Sequence, residues 1–254
     1  MANYNLYFSP TGGTKKVADA FTDAWGGSFI DIDMLKHEPP EEINNIKNDD
    51  VCVFSVPSYG GRVPGVVAEK MKTLSGAGAE AIMIVVFGNR AIDDTLVEMY
   101  DILKEAGFSC IAGIEAVAEH SLVRQFAAGR PDTDDIREIG EFAGKIKQAV
   151  TDGTITDHPD LPGNRPYRKY DGVPMKPSVS NKCVGCGTCA RECPVGAIPK
   201  DNPKITDKDK CISCMHCETV CPENARKLNK IVIIGAAQSM KKSCAGRKPN
   251  KLYL

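Results

Sequence analysis

The chain has 254 residues, 42% of them apolar and 26% charged, which suits one large or two modest globular domains and excludes disordered and fibrous classes. Its net charge is only −1, yet residues 1–160 hold 26 acidic and 14 basic residues, whereas residues 161–254 hold 7 acidic and 18 basic ones. This division, −12 against +11, predicts two units with different partners or cargo.

A glycine-containing loop follows the first predicted strand, residues 3–8. The loop consists of Ser9, Pro10, Thr11, Gly12, Gly13 and Thr14, and a helical pattern with an apolar face comes directly after it. Glycines let a backbone approach an anion, hydroxyl groups donate to its oxygens, and a helix N-terminus adds a favourable dipole. The order therefore predicts a phosphate-binding loop, with a plain strand-to-helix turn as the alternative. The Walker and G-x-G-x-x-G patterns are absent, so neither a nucleoside triphosphate nor a dinucleotide is indicated.

Four more strands are predicted at residues 29–33, 51–56, 81–87 and 109–119, with helical patterns between most of them. Helical spacing relates Ile92, Leu96, Met99 and Leu103, and also Ile136, Ile139, Ala143 and Ile146. Apolar strands that alternate with helices predict an α/β fold with a parallel sheet covered on both faces. Cys52 and Cys110 lie within predicted strands, where a free thiol is expected to act as a small core residue.

The loop from Ser9 to Thr14 resembles the [S/T]-x-T-G-x-T phosphate loop of flavodoxins. The resemblance implies a doubly wound, five-stranded parallel sheet with strand order 2-1-3-4-5. It also implies that FMN binds outside the carboxyl ends of the strands, at the switch between strands one and three. The FMN phosphate would then be held by Ser9, Thr11, Gly12, Gly13 and Thr14.

Two further loops are expected to contact the isoalloxazine ring. The loop after strand three contains Pro57, Ser58, Tyr59, Gly60 and Gly61. Tyr59 is the candidate for stacking on the ring, with an exposed loop tyrosine as the alternative. The loop after strand four contains Gly88, Asn89 and Arg90. There Asn89 and the backbone amides would bind the polar edge of the ring. Arg90 would favour an anionic reduced flavin, unless it forms an ion pair with Asp93 or Asp94.

The fifth predicted strand ends near His120, at the same edge of the sheet. His120 is therefore a further candidate for the flavin site. The loop that follows, residues 121–131, contains Arg124 and Arg130 and is a candidate to cover the flavin.

Eight of the eleven cysteines form an internal repeat of 28 residues. The first copy contains Cys183, Cys186, Cys189 and Cys193, the second contains Cys211, Cys214, Cys217 and Cys221, and a proline follows each copy. In a chain without a secretory signal, such dense cysteine indicates metal ligation before disulfides. The run C-x2-C-x2-C-x3-C-P resembles that of bacterial two-cluster ferredoxins, in which the fourth cysteine ligates the other cluster.

This second resemblance implies two [4Fe-4S] clusters. Cluster I would be held by Cys183, Cys186, Cys189 and Cys221, and cluster II by Cys211, Cys214, Cys217 and Cys193. Zinc is the alternative, because it also binds C-x2-C pairs, but the doubled triple run is far more specific for cubane clusters. His216, inside the second run, is expected to hydrogen-bond a sulfide or a ligand, or to face solvent.

Four segments are expected along the chain. A flavodoxin-like domain spans 1–152, a proline-rich and semi-rigid connector 153–175, a smaller α+β ferredoxin-like domain 176–229 and a basic tail 230–254. The tail pattern predicts a packed apolar helix followed by a solvated end, with docking on an acidic partner or nucleic acid as the alternative.

The whole chain resembles fusion proteins of anaerobic bacteria and archaea that join a flavodoxin-like domain to a two-cluster ferredoxin domain. The resemblance implies an electron carrier that connects FMN and the two clusters with a protein partner such as a ferredoxin, a reductase or an oxidase. An enzyme that reduces a small acceptor such as a quinone, a nitro compound or oxygen is the alternative. A nucleic-acid or sensory role is the least favoured, and the sequence leaves the oligomeric state open.

The expected location is the cytoplasm. The longest apolar runs, 81–87 and 231–234, are far shorter than the roughly 18 residues that a transmembrane helix needs. No charged and then apolar signal segment opens the chain.

Overall fold

Five parallel strands form the centre of the structure. The computed structural model describes residues 2–36 and 41–254. The strands are β1 (Asn3–Tyr7), β2 (Phe29–Asp33), β3 (Val51–Pro57), β4 (Glu80–Phe87) and β5 (Ser109–Val117). They are hydrogen-bonded in the order β2-β1-β3-β4-β5, all in parallel. The predicted α/β fold and its flavodoxin-like strand order are thereby confirmed.

Helices cover both faces of this sheet. They are α1 (Gly13–Trp25), α2 (Gly65–Lys72), α3 (Thr95–Glu105) and α4 (Thr133–Thr151), with a 3-10 helix at Glu41–Asn45. Phe54 and Met99 belong to the core on one face, whereas Phe21 and Ile146 belong to the core on the other. Strand β4 is apolar at nearly every position because both of its faces are covered.

Most of the predicted apolar pattern is buried, but one position at the start of α4 is not. Cys52 and Cys110 are fully buried, as expected for small core residues. Ile136 is instead 47% exposed. The buried position is taken by Asp135, which forms an ion pair with the buried Arg130 and closes a capping box with Asp132. An ion pair and a helix cap thus displace an apolar side chain from the interior.

A sixth strand, β8 (Lys251–Tyr253), pairs antiparallel with β5 and extends the sheet beyond the five parallel strands. Leu252 lies opposite Ile114 and packs against the core, and the Tyr253 hydroxyl donates to the Glu115 carboxylate. The end of the tail therefore lies on the sheet. This corrects the expectation of a solvated end.

The cysteine-rich segment forms a small unit of its own. Its elements are β6 (Ser178–Val179), α5 (Thr188–Arg191), α6 (His216–Thr219) and β7 (Arg226–Lys227), and α7 (Lys230–Met240) leads into the tail. Strands β6 and β7 pair antiparallel. Within residues 2–36 and 41–254, no helix has the length and the apolar character needed to cross a membrane.

Opposite charges hold the later part of the chain against the parallel sheet unit. Arg168 forms an ion pair with Asp93, and the Arg165 guanidinium binds both carboxylate oxygens of Asp101. Farther along, Arg247 forms an ion pair with Asp132 at 2.7 Å. Part of the acidic excess of residues 1–160 is therefore paired with part of the basic excess of residues 161–254 within the same chain.

Candidate functional site

The loop after β1 forms an anion site at the start of α1. Gly12, the N-cap residue, has a left-handed conformation with φ +87°, which a residue with a side chain rarely adopts, and it offers no side-chain cap. The first turn of α1 also contains no acidic residue. Ser9 Oγ accepts a hydrogen bond from the N–H of Lys15 at 2.8 Å, which fixes the loop and pairs one N–H of the first turn. The N–H groups of Gly13 and Thr14 and the positive end of the helix dipole suit a phosphate group.

Two adjoining cavities lead from this loop along the carboxyl ends of the strands. The smaller, about 70 Å³, reaches Thr11, Gly13 and Thr14. The larger, about 250 Å³, extends towards the cysteine-rich unit. Both are lined by Ser58, Tyr59, Phe87, Gly88, His120 and Ser121. This space lies where a 2-1-3-4-5 sheet places its ligands.

The larger cavity is also lined by parts of the chain that are distant in sequence. They are Tyr170, Val173 and Met175 of the connector, Ile212 and Ser213 of the second cysteine run, and Met240 of α7. None of these residues was predicted for the flavin site. One sequence feature is consistent with this close approach. Position 60 is a glycine, and a Cβ there would lie 2.2 Å from the Tyr170 ring. The glycine alone does not indicate which side chain packs against it.

Most of the residues predicted for the flavin site line one of these two cavities. They are Thr11, Gly13, Thr14, Pro57, Ser58, Tyr59, Gly60, Gly88, Arg90 and His120. Ser9 and Gly12 shape the loop beside them. Gly61 is packed against Asp93 and Arg168, so it lies away from the shared lining.

Asn89 faces the tail rather than the cavity. Its side-chain nitrogen donates to the carbonyls of Cys244 at 2.8 Å and Gly246 at 2.7 Å, and its oxygen accepts from the N–H of Lys248 at 3.2 Å. Both amide hydrogens are therefore used within the protein. The expectation that this amide binds a ring edge is not met in this arrangement.

Arg90 and Tyr59 lie at the rim and the wall of the larger cavity. Arg90 forms the ion pair with Asp93 that was the alternative for this residue, while it still lines the cavity. Tyr59 is half-buried, with its ring edge-on to Phe8 at a centroid distance of 6.5 Å. Burial raises the pKa of Tyr59 well above its usual range, and the nearby Cys214 thiol adds to the effect. Tyr59 therefore stands between the sheet unit and the cysteine-rich unit.

His120 is held as a neutral imidazole. Its Nδ1 accepts hydrogen bonds from the N–H groups of Leu122 and Val123, both at 3.2 Å. Burial, with a further contribution from Arg90, lowers the pKa of His120 to about 4. Because Nδ1 accepts, the ring hydrogen is on Nε2, which leaves a neutral donor beside the cavities. Gly88 is required next to it, since a Cβ there would lie 2.6 Å from His120.

The loop 121–131 covers less of this space than expected. Ser121 and Leu122 line the larger cavity, but Arg124 and Arg130 line a third cavity of about 120 Å³, which shares Thr11 and Gly13 with the smaller one. The Arg130 guanidinium is occupied by Asp135 and by the Lys248 carbonyl, which accepts at 2.8 Å. Arg130 therefore anchors the tail and does not reach over the main cavities.

The structure brings together both predicted sets of cysteines. Cys183, Cys186, Cys189 and Cys221 line one small pocket. The second set converges too, because Cys193, Cys211 and Cys217 pack in one cluster. Burial raises the pKa of the Cys214 thiol, and these three neighbouring thiols raise it further. All eleven cysteines are free thiols. Among the described residues, no three His, Cys, Asp or Glu side chains approach closely enough to share one metal ion. A cubane accepts this wider spacing because each thiolate binds a different iron.

The second cysteine run lies directly against the phosphate-binding loop. His216 Nδ1 donates to the carbonyl oxygen of Pro10 at 2.9 Å, and the residue is half-buried. Ile212 and Ser213 line the larger cavity from the same side. The first run is more open to solvent, since Cys186 is exposed and Val184 is 69% exposed. The second cysteine set is thus the one next to the cavities.

Comparison with known proteins identifies the cysteine-rich segment. Residues 175–226 match the family model of the 4Fe-4S dicluster domain. This segment is therefore a ferredoxin-type unit for two [4Fe-4S] clusters, in agreement with the 28-residue repeat. No curated protein matches the chain as a whole.

Solved structures resemble the first part of the chain at low identity. An azoreductase of Bacillus anthracis is 12% identical over 57% of this chain and 100% of its own, with a TM-score of 0.43. A flavodoxin of Streptococcus pneumoniae is 14% identical over 59% of this chain and 100% of its own, with a TM-score of 0.39. A flavodoxin of Megasphaera elsdenii is 16% identical over 57% and 99%, with a TM-score of 0.36. Similarities of this size assign no activity, and the fold assignment rests on the strand order.

Proposed function

We propose that this chain is an electron-transfer protein that binds one FMN and two [4Fe-4S] clusters and exchanges electrons with a redox protein partner. The observation that carries the proposal is the contact between the second cysteine run and the phosphate-binding loop. His216 binds the Pro10 carbonyl, and Ile212 and Ser213 line the cavity next to Tyr59. One chain thus supplies both redox sites side by side.

The eight repeat cysteines are the proposed cluster ligands. Cluster I takes Cys183, Cys186, Cys189 and Cys221, and cluster II takes Cys193, Cys211, Cys214 and Cys217. The crossing of the fourth cysteine between the two sets follows the ferredoxin pattern. Loading requires these thiols to lose their protons, because a coordinating cysteine binds as a thiolate.

The adjoining cavities are the proposed FMN site. Thr11, Gly13 and Thr14 would hold the phosphate at the uncapped start of α1, where backbone N–H groups and the helix dipole favour an anion. Tyr59 and His120 would lie beside the ring. Bound FMN supplies one-electron and two-electron redox chemistry, while the clusters supply one-electron steps.

The chain's own side chains would isolate and orient that ring. Tyr170 and Met175 of the connector and Met240 of α7 line the larger cavity and would limit the access of water to a ring bound there. His120 presents a neutral N–H at Nε2 and so offers a hydrogen bond without a net charge. Tyr59 fills the space towards Cys214. These residues bind and shield, and none of them needs to take part in a bond-breaking step.

Cluster I is the proposed contact point for the partner. Cys186 and Val184 are exposed there, and Lys182 and Arg191 stand close by in the sequence, both exposed. A basic surface with an exposed apolar side chain favours an acidic partner, because opposite charge steers the encounter. An acidic ferredoxin has the required chemistry. Reductases and oxidases with an acidic docking face meet the same requirement.

The test is an anaerobic absorbance experiment on protein first analysed for iron and flavin. The proposal predicts eight irons and one FMN per chain, and bleaching by chemically reduced ferredoxin but not by NADH or NADPH. Rapid bleaching by a nicotinamide would contradict the carrier role. Fast reoxidation by a quinone or a nitro compound after reduction would favour the alternative, an FMN-dependent oxidoreductase with the clusters as electron entry.

Two matched variants separate ligation from folding. Cys214→Ser removes a proposed ligand of cluster II and should lower the iron content and the cluster absorbance. Cys110→Ser alters a buried cysteine in the sheet core and should leave both unchanged, because Cys110 lies far from either cysteine set. Riboflavin, which lacks the phosphate, should bind much more weakly than FMN. Equal binding of the two flavins would contradict the assignment of the phosphate-binding loop.

A further inference from the structure

A buried guanidinium touches the first cysteine set. Arg226 is only 1% exposed, although arginine is rarely buried without a partner. Its Nε donates to the Cys189 sulfur at 3.1 Å. The remaining nitrogens donate to Thr206 Oγ1 at 2.8 Å and to the carbonyls of Pro203 at 2.5 Å and Ile205 at 3.2 Å. The side chain is thus held in one orientation, with Nε directed at the sulfur.

The charge of Arg226 has no carboxylate to balance it. Its four acceptors are a hydroxyl, two carbonyls and a sulfur, so none of these contacts in the described part of the chain is with Asp or Glu. Arginine stays protonated in proteins, and a buried charge without a counter-charge is costly. A cluster ligated by four thiolates is an anion. Cys189 in its thiolate form, as part of such a cluster, supplies the missing negative charge.

The internal repeat provides a comparison inside the same molecule. Residue 226 in the second copy corresponds to Ile198 in the first, 28 positions earlier. The backbone contacts of the two copies are alike, since the N–H of Ala197 donates to the Cys193 sulfur at 3.3 Å and the N–H of Ala225 to the Cys221 sulfur at 3.3 Å. The side chains differ: Ile198 is buried and apolar and has no N–H to donate. The two cluster sites, which have similar backbone contacts, therefore differ in the side chain at this position of the repeat.

The hydrogen bond of Arg226 distinguishes the two sets. Among the described residues, the sulfur that accepts from Arg226 is that of Cys189, which belongs to the first set. Hydrogen bonds to the sulfurs and nearby positive charge stabilise the reduced, more negative state of a cluster.

We propose that Arg226 makes cluster I the more easily reduced of the two clusters, so that a single electron rests at the solvent-facing site rather than beside the flavin cavity. The proposal depends on the proposed function in one respect, the presence of two cubanes. The role of Arg226 adds a direction of electron flow to the proposed function, because an electron leaving the flavin site would move to the cluster that faces the partner.

The test is an anaerobic redox titration followed by EPR on the full chain. In the wild type, cluster I should be reduced first, with an equilibrium constant at least tenfold larger than that of cluster II, a difference of about 59 mV for a one-electron couple. Cys186→Ser alters a ligand of cluster I and identifies its signal. Arg226→Gln should lower the preference for cluster I at least tenfold, and Arg226→Lys, which keeps the charge, should lower it less.

The control is Arg191→Gln. Arg191 also lies beside the first set but is exposed and donates to the Cys186 carbonyl at 3.1 Å, not to a sulfur. We expect Arg191→Gln to change the preference for reduction of cluster I by less than threefold. Equal reduction of both clusters in the wild type, or an unchanged preference in Arg226→Gln, would overturn the proposal. So would an equal shift of both clusters, which indicates packing alone.

The outcomes for the two proposals can be told apart. A wild-type protein with fewer than eight irons contradicts the proposed function itself. If Arg226→Gln does not retain both clusters, the wild-type difference and Arg226→Lys decide the question. A wild type with both clusters but no tenfold difference refutes the role of Arg226 and leaves the electron-transfer proposal intact.

Discussion

His216 donates a hydrogen bond from Nδ1 to the carbonyl oxygen of Pro10 at 2.9 Å, and this contact joins residues that are 206 positions apart in the sequence. Pro10 belongs to the phosphate-binding loop, and His216 is the residue before a proposed ligand of cluster II. A carbonyl only accepts, so the hydrogen is on Nδ1. The contact thus joins the phosphate-binding loop and the second cysteine run through a single side chain.

Replacing His216 by Ala should slow electron exchange between the flavin and the clusters several-fold while both cofactors stay bound. The lost hydrogen bond contributes about 1 kcal/mol, which loosens the contact without unfolding either unit. Rapid-mixing absorbance with reduced ferredoxin measures the rate. His158→Ala is the control, because His158 is an exposed histidine that contacts Tyr100 instead. An unchanged rate in His216→Ala would show that the contact does not set the spacing.

Gly60→Ala should weaken flavin binding and lower the free energy of unfolding by about 1–3 kcal/mol. Gly60 has φ +61°, and its new Cβ would lie 2.2 Å from the Tyr170 ring, so the ring that closes the larger cavity must move. Urea denaturation and a fluorescence titration with FMN measure the two effects. Gly65→Ala is the matched control, since no atom lies within 4 Å of a Cβ there. Tight FMN binding in Gly60→Ala would argue against closure by Tyr170.

The features that could be predicted depend on residues that are close together in the sequence. Examples are the loop from Ser9 to Thr14 and the repeat that begins at Cys183, because a few neighbouring residues indicate the ligand of each. Alternating apolar strands and helices predicted a parallel sheet, and the resemblance that the loop carried implied its strand order. His120 was also placed at the correct edge, because it directly follows a strand.

The features that could not be predicted depend on contacts between distant segments. Asn89 lies in a loop that suits a ring edge, but its amide is taken by the carbonyl of Cys244, 155 positions later. The charge division suggested separate partners, yet Arg168 and Asp93 form an ion pair within the chain. The hydrogen bond from Arg226 to a sulfur follows from how β7 packs, which composition and spacing do not encode.

Asn89→Ala should lower the free energy of unfolding by about 2–3 kcal/mol, because three hydrogen bonds to the tail are lost and each contributes about 1 kcal/mol. The backbone groups that Asn89 binds would be left unpaired. Hydrogen exchange should therefore become faster in residues 244–250. Asn3→Ala is the control, since the Asn3 side chain makes one long hydrogen bond to Ser28 at 3.4 Å. Unchanged exchange in the tail of Asn89→Ala would contradict the anchoring role.

The pH dependence of stability should include a contribution from His120. Burial holds the pKa of His120 at about 4 in the folded chain, below its ordinary value of 6.5. Between these two values the unfolded chain binds the extra proton, so the free energy of unfolding rises with pH in this window. The contribution is complete above about pH 6.5 and is lost as pH falls towards 4, by about 2–3 kcal/mol in total.

Denaturation curves between pH 4 and pH 7 check this dependence when the wild type is compared with His120→Gln. The variant carries no titratable ring, so its stability should fall less as the pH is lowered through this window. His158→Gln removes an imidazole that is 73% exposed and serves as the control. Equal slopes for the wild type and His120→Gln would mean that the ring takes up its proton as readily in the folded chain as in the unfolded one. That result would contradict the assignment of a neutral N–H donor at Nε2 of His120 beside the cavities.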